Sequence, residues 1–172
     1  MAMKTISCIC SLFSLFVFAG ASAATQTNCQ LHEKVFFSCP SGKKILSMCE
    51  SSGPEAEQYM EYRYGTPDKI ELRFRGSNAD IPRKFFRAKI SGANNTGTTI
   101  WFKNNDTYYT LNSPVRGAPY LEVLSHNKRI ARLSCNDGWS SVEGDPDNAS
   151  STIETKSQSE FFAEVLSIRK GK

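Results

Sequence analysis

Apolar residues fall on alternate positions over much of the chain, most clearly where Ile70, Leu72 and Phe74 interleave with Glu71, Arg73 and Arg75. A period of two sets one side of a strand on a core and leaves the other in water. Gln58 to Tyr64 likewise carries Met60, Tyr62 and Tyr64 on one face, and Gly65-Thr66-Pro67-Asp68 turns the two segments into a hairpin. Val35 to Cys39 and Lys44 to Cys49 flank a second bend at Pro40-Ser41-Gly42-Lys43. Thr99 to Lys103 pairs in expectation with Thr107 to Leu111, and Pro119 to Ser125 with Arg129 to Cys135. A less regular strand is expected over Lys84 to Ile90, opened by Ile81-Pro82. The connections are short, which predicts an all-β antiparallel meander forming a small sandwich or barrel.

The rhythm stops at Asn136 and does not return before Lys156. A connection of that length inside a compact domain is usually functional or disordered. Beyond it, Ser157 and Glu160 carry the signature of a capping box, and Phe161, Phe162, Val165 and Leu166 recur at helical spacing. A short C-terminal helix is predicted, with a strand through Phe162, Leu166 and Ile168 as the alternative.

Residues 1–23 have the parts of a secretory signal: Lys4, an apolar run from Ile6 to Phe18, and the small residues Ala21-Ser22-Ala23 before a cleavage point. The run is too short and too rich in serine for a retained span, which takes roughly 20 apolar residues. Residues 24–172 then form a single exported domain, periplasmic or secreted, without stable membrane insertion. The 172-residue chain has a net charge of +4. So mild an excess does not mark a nucleic-acid partner, whose footprint is stronger and clustered.

Cys8 and Cys10 leave with the signal, so Cys29, Cys39, Cys49 and Cys135 remain. An even number in an oxidising compartment implies two disulfides. The spacings lack the close ligand pairs of a zinc site. In a hairpin turning at Ser41-Gly42, Cys39 stands beside the bend and Cys49 some way down the other arm, roughly 16 Å off at about 3.3 Å per residue. That exceeds the ~7 Å Cα separation a disulfide tolerates. The expected bonds are therefore Cys29 with Cys49 and Cys39 with Cys135.

Catalytic machinery is sparse. His32 and His126 are the two histidines; the first precedes a strand and the second sits on a hairpin tip, and both are expected to be exposed polar residues. A cysteine hydrolase would have to pair one of them with a mature cysteine. Glu55 and Glu57 fall in a loop, and Glu61 and Glu71 at outward strand positions, where they are expected to be surface charge. Asp145-Pro146-Asp147-Asn148 lacks the repeated donors and closing glutamate of a calcium loop. Neither metal nor cofactor is expected. Sequons stand at Asn94, Asn105 and Asn148.

Three groups could bind a partner. Arg73, Arg75, Arg83, Lys84, Arg87 and Lys89 could meet an anionic surface or simply keep strand edges charged. Trp101, Phe102, Tyr108, Tyr109 and Tyr120 could stack a ligand or fill the core. Trp139 lies in an irregular polar stretch with Asp137, Glu143, Asp145 and Asp147 about it. Tryptophan is favoured as an interface anchor, so these five are the expected partner-binding residues, with packing of Trp139 back onto the sheet as the alternative.

A cleaved signal, a four-cysteine all-β domain and few catalytic groups together resemble the small exported bacterial inhibitors and immunity proteins directed at peptidoglycan-cutting enzymes. In the lysozyme inhibitors of that type, a Ser-Gly loop followed by a basic residue and a tyrosine enters the enzyme's cleft. Ser52-Gly53 is followed here by Pro54-Glu55-Ala56-Glu57-Gln58-Tyr59, a different length and charge, and Ser91-Gly92-Ala93-Asn94 has no tyrosine. The resemblance implies a non-enzymatic protein whose partner is a peptidoglycan hydrolase, held by a surface loop. The rival readings are an envelope structural or assembly module with an anionic partner, and a Cys/His-dependent hydrolase.

Overall fold

A computed structural model describes residues 26–54, 57–93, 96–135 and 153–166. Ten strands make two open sheets. The first is a meander of β1 (Glu33–Ser41), β2 (Lys44–Ser51), β3 (Tyr59–Thr66) and β4 (Lys69–Ser77), in that order. The second holds β5 (Phe85–Ile90), β6 (Gly97–Asn104), β7 (Thr107–Pro114), β8 (Tyr120–Ser125) and β9 (Lys128–Ser134) as another meander. The two-residue β10 (Glu154–Thr155) adds to its β5 edge in parallel. The architecture is thus a sandwich, and neither sheet closes into a barrel.

Alternation supplies the contact between the layers. Met60, Tyr62 and Phe74 from the first sheet meet Phe85, Ile100, Phe102 and Leu111 from the second in one core. Phe102 is its hub: it stacks on Phe74 at 4.5 Å and on Tyr109 at 4.9 Å, with Tyr62 tilted against it at 4.9 Å. Such aromatic pairs add about 0.5–1.5 kcal/mol each beyond the area they bury. Helix α1 (Ile81–Lys84) is one turn with Pro82 near its start, where a missing N–H costs nothing. It replaces the expected opening of a strand at Ile81-Pro82, and β5 begins only at Phe85.

The first hairpin bends at Gly42, whose φ of +62° suits glycine, and pairs Ser41 with Lys44. Cys39 then faces Leu46 and Cys49 faces Val35. Three residues, about 10 Å along the strand, separate the positions of the two cysteines, less than the bend at Ser41-Gly42 implied but still too far for a bond. The disulfides are Cys29–Cys49, Cα atoms 5.4 Å apart, and Cys39–Cys135, 5.1 Å apart. At Gly65, with φ of +150° beside a bulge in β3, an added Cβ would strike the Lys69 carbonyl, so only glycine fits.

Glu61 corrects the sequence reading. It does point away from the inter-sheet core, but it is buried, as are Arg63 and Glu33. The segment before β1 folds back over this outer face. Cys29 is bonded to Cys49, the Asn28 amide donates to the Ile45 and Gly65 carbonyls at 2.8 and 3.1 Å, and Ser38 donates to the Gln26 carbonyl at 2.7 Å. Arg63 sits beneath this strap with every N–H engaged. Nη1 and Nη2 reach the Glu33 carboxylate at 2.6 and 2.7 Å, Nη1 the Asn28 carbonyl at 3.0 Å, and Nε the Glu61 carboxylate at 2.8 Å. Nη2 also contacts Glu61.

Burial alone would raise the Glu33 carboxyl's pKa, but hydrogen bonds from Arg63, Tyr59 and the Gln30 N–H, with the Arg63 charge, hold it below the usual range. Folding is therefore favoured while the unfolded carboxylate is ionised. That stabilisation is complete above about pH 4.5, and is lost as pH falls through the lower folded pKa. Urea titrations from pH 7 to pH 3 should show a steeper loss for the native chain than for Glu33→Gln.

Removing one member of a buried ion cluster costs about 3–5 kcal/mol, whereas replacing all of it with apolar groups can be neutral or better. Arg63→Met should lose that amount in urea denaturation, and adding Glu33→Leu and Glu61→Leu should restore most of it. The two disulfides are expected to differ in the same assay. Cys39–Cys135 spans 96 residues and Cys29–Cys49 spans 20; loop-closure entropy predicts about 4–5 kcal/mol for the double serine variant of the first and about 3 for the second.

Candidate functional site

The residues expected to carry partner binding, Trp139, Asp137, Glu143, Asp145 and Asp147, lie outside the described residues. What the structure gives is the two ends of their segment. Before it, Cys135 is buried and bonded to Cys39 in the opposite sheet. After it, Ile153 is buried in the inter-sheet core, and Glu154 and Thr155 pair with Phe86 and Arg87. The stretch without alternation, expected as loop to Lys156, therefore ends in a strand at Glu154–Thr155.

All four described cysteines are in disulfides, so no described thiol is available to His32 or His126. Cys29, Glu33 and Cys49 cluster within 4.8 Å, but with both sulfurs bonded to each other only a carboxylate already held by Arg63 faces a metal. His126 (φ +50°) and Asn127 (φ +62°) form the β8–β9 turn, with the exposed His126 Nδ1 2.9 Å from the Ser125 hydroxyl. His32 is exposed as well.

The basic group divides between the sheets. Arg73 and Arg75 of β4 approach Glu61 at 3.6 and 3.7 Å, and Arg75 covers the Tyr59 ring at 3.6 Å. Arg83 and Lys84 face Asp80 at 3.0 and 3.5 Å, and Arg87 donates to the Thr155 hydroxyl at 2.7 Å. Arg73, Arg75, Arg83 and Lys84 thus all face carboxylates. The aromatic group also divides: Trp101 and Phe102 are fully buried, Tyr109 joins the inter-sheet core, and Tyr108 and Tyr120 are half-buried on the other face of the second sheet.

That other face carries helix α2 (Gln158–Val165), started by the expected capping box between Ser157 and Glu160. Phe161 and Val165 pack on Ala88, Trp101 and Leu124. Phe161 meets Trp101 edge-on at 4.9 Å, and the Trp101 indole N–H points at Glu164, 3.4 Å away. Lys156 bonds Glu164 at 2.9 Å and lies 3.5 Å over the Phe86 ring. Gln158 closes the end of β5 from both directions, accepting from the Ser91 N–H at 2.9 Å and donating to its carbonyl at 3.1 Å.

A groove of about 210 Å³ opens between α2 and the outward side chains of β7 and β8. One wall is Phe161, Phe162 and Leu166; the other is Tyr120 and Glu122; Thr110 and Asn112 line it as well. The Tyr120 ring is backed by the Arg132 guanidinium at 3.8 Å, and Glu122 Oε1 accepts from Arg129 at 3.0 Å and Arg132 at 3.4 Å. Sequence reasoning missed this groove, although Phe161 and Phe162 in adjacent positions were a signal: a helix can bury only one of two neighbours fully.

No family model, curated protein or solved structure matches the chain. The site must be judged on its chemistry.

The groove exists only while α2 stays docked, and Phe161 and Val165 are the two residues the helix buries. Phe161→Ala should cost about 3–5 kcal/mol in urea denaturation, with the Trp101 fluorescence maximum moving to longer wavelength as the indole meets water.

Proposed function

We propose that the protein is a non-enzymatic binding protein of an oxidising, extracytoplasmic compartment, periplasmic or secreted, that inhibits a peptidoglycan-cutting enzyme through residues 136–151. The observation that carries this reading is the anchoring of that segment at both ends: the Cys135 disulfide before it, and Ile153 with β10 after it. A rigid scaffold that fixes the ends of a chemically distinctive segment is how binding loops are usually presented. The segment holds four acidic residues, Asp137, Glu143, Asp145 and Asp147, and no basic one, on a chain whose net charge is +4. Carboxylates gathered against a basic background can steer toward, and pair with, a positively charged cleft. Two disulfides fit an oxidising compartment, and no described helix is long and apolar enough to cross a membrane.

β9 and β10 stand at opposite edges of the six-stranded sheet, roughly 24 Å apart at ~4.8 Å per strand. A deletion of residues 137–150 leaves three linking residues, too few at ~3.5 Å each, and would tear β10 away. The test therefore replaces residues 137–150 with Gly-Ser repeats of equal length. The intact protein should slow the lysis of a cell-wall suspension by at least one member of a panel of lysozymes and lytic transglycosylases. The replacement should abolish this with its unfolding midpoint unchanged, and Trp139→Ala should weaken it about 30-fold, as loss of an anchor worth about 2 kcal/mol would. Full inhibition by the Gly-Ser variant, or none by the intact protein against the whole panel, would overturn the proposal.

A further inference from the structure

We propose that the groove between α2 and strands β7–β8 binds a single neutral pyranose ring, as a free sugar or one residue of a glycan. None of its lining residues belongs to 136–151, and the proposal stands whether or not that segment inhibits an enzyme.

Size is the first constraint. Pockets for drug-sized ligands hold about 300–1,000 Å³, and the 210 Å³ here accommodates one small ring rather than a peptide or a nucleotide. Chemistry is the second. A pyranose has an apolar C–H face and a rim of hydroxyls. The groove offers the same division, with Phe162 and Leu166 on one wall and Tyr120 and Glu122 on the other. Phe161 is committed to Trp101, and one face of Tyr120 to Arg132. The half-buried Phe162 ring is left for the C–H face.

The polar wall keeps free valences. Glu122 Oε1 holds both arginines, and among the described residues Oε2 has no partner. The Tyr120 hydroxyl makes no hydrogen bond among the described residues either. A carboxylate oxygen and a phenol side by side can accept from and donate to neighbouring sugar hydroxyls. Charge then favours a neutral ligand: an anion would face the Glu122 carboxylate that lines the groove, and because that carboxylate is already paired with Arg129 and Arg132 it offers a cation little net attraction.

The rest of the lining is already fixed. Asn112 accepts from Thr99 at 3.0 Å and gives its amide hydrogens to the Thr110 carbonyl and hydroxyl, both at 3.0 Å. Gln158 locks Ser91 at the groove's end. Little conformational entropy remains to be lost when a ligand enters, which favours binding by a small molecule with few contacts.

The experiment titrates the ¹⁵N-labelled mature protein with methyl glycosides of glucose, galactose, mannose and N-acetylglucosamine, and with their trisaccharides. At least one sugar should shift the amides of Gly92, Asn112, Tyr120 and Phe162 in a saturating, millimolar-range titration. Glu122→Gln should weaken it about tenfold, and Tyr120→Phe about threefold. The second variant keeps the ring and its Arg132 contact, so it decides the matter if the first disturbs the fold. No shift at these amides with any sugar, shifts confined to other residues, or native affinity in both variants would each overturn the proposal.

Discussion

Phe102 lies at the middle of the sandwich, stacked between Phe74 and Tyr109 and touched by Tyr62 and Phe85. Because one ring ties β3, β4, β5 and β7 to β6, the spacing and angle of the two sheets follow from its packing. Interiors of this density give little, so the reverse face of the second sheet inherits a fixed shape. On that face Trp101, the next residue along β6, repeats the arrangement on a smaller scale and seats α2. Two adjacent aromatics on one strand thus hold one layer on each side of it.

The polar counterpart is the Glu33–Arg63–Glu61 cluster under the N-terminal strap. Buried ion pairs are poor sources of net stability, since desolvation offsets the attraction. Their effect here is positional. An arginine with all its hydrogens spoken for admits one placement of Asn28, Glu33 and Glu61, and the Cys29–Cys49 bond then closes over it.

Most of the fold was legible because its determinants are local. Period-two alternation located the hairpins, the turn residues fixed their ends, and strand geometry ruled out a Cys39–Cys49 bond. Ser157 and Glu160 announced α2. Most of the failures trace to contacts made at long range. Glu61 was correctly oriented by alternation but called surface charge, since nothing in β3 tells that residues 26–33 return to cover it. β10 is two residues long, and its pairing depends on an edge some 68 positions upstream. The groove arises from where α2 stops short of covering the sheet, which no periodicity within α2 or β8 encodes. Helix α1 escaped because a single turn beside a strand has no pattern of its own.

The connectivity of the disulfides bears on how the chain is made. Cys29, Cys39 and Cys49 leave the ribosome in close succession, whereas Cys135, the partner of Cys39, follows 96 residues later. During that interval Cys39 is a thiol flanked by two others, and the first oxidation to occur is as apt to join neighbours as natives. Any bond it makes early must be exchanged through a mixed disulfide once Cys135 arrives. Native pairing is reached without exchange when Cys29 and Cys49 join first and leave Cys39 a thiol until Cys135 follows, so the order of oxidation decides whether this small sandwich needs its bonds reshuffled.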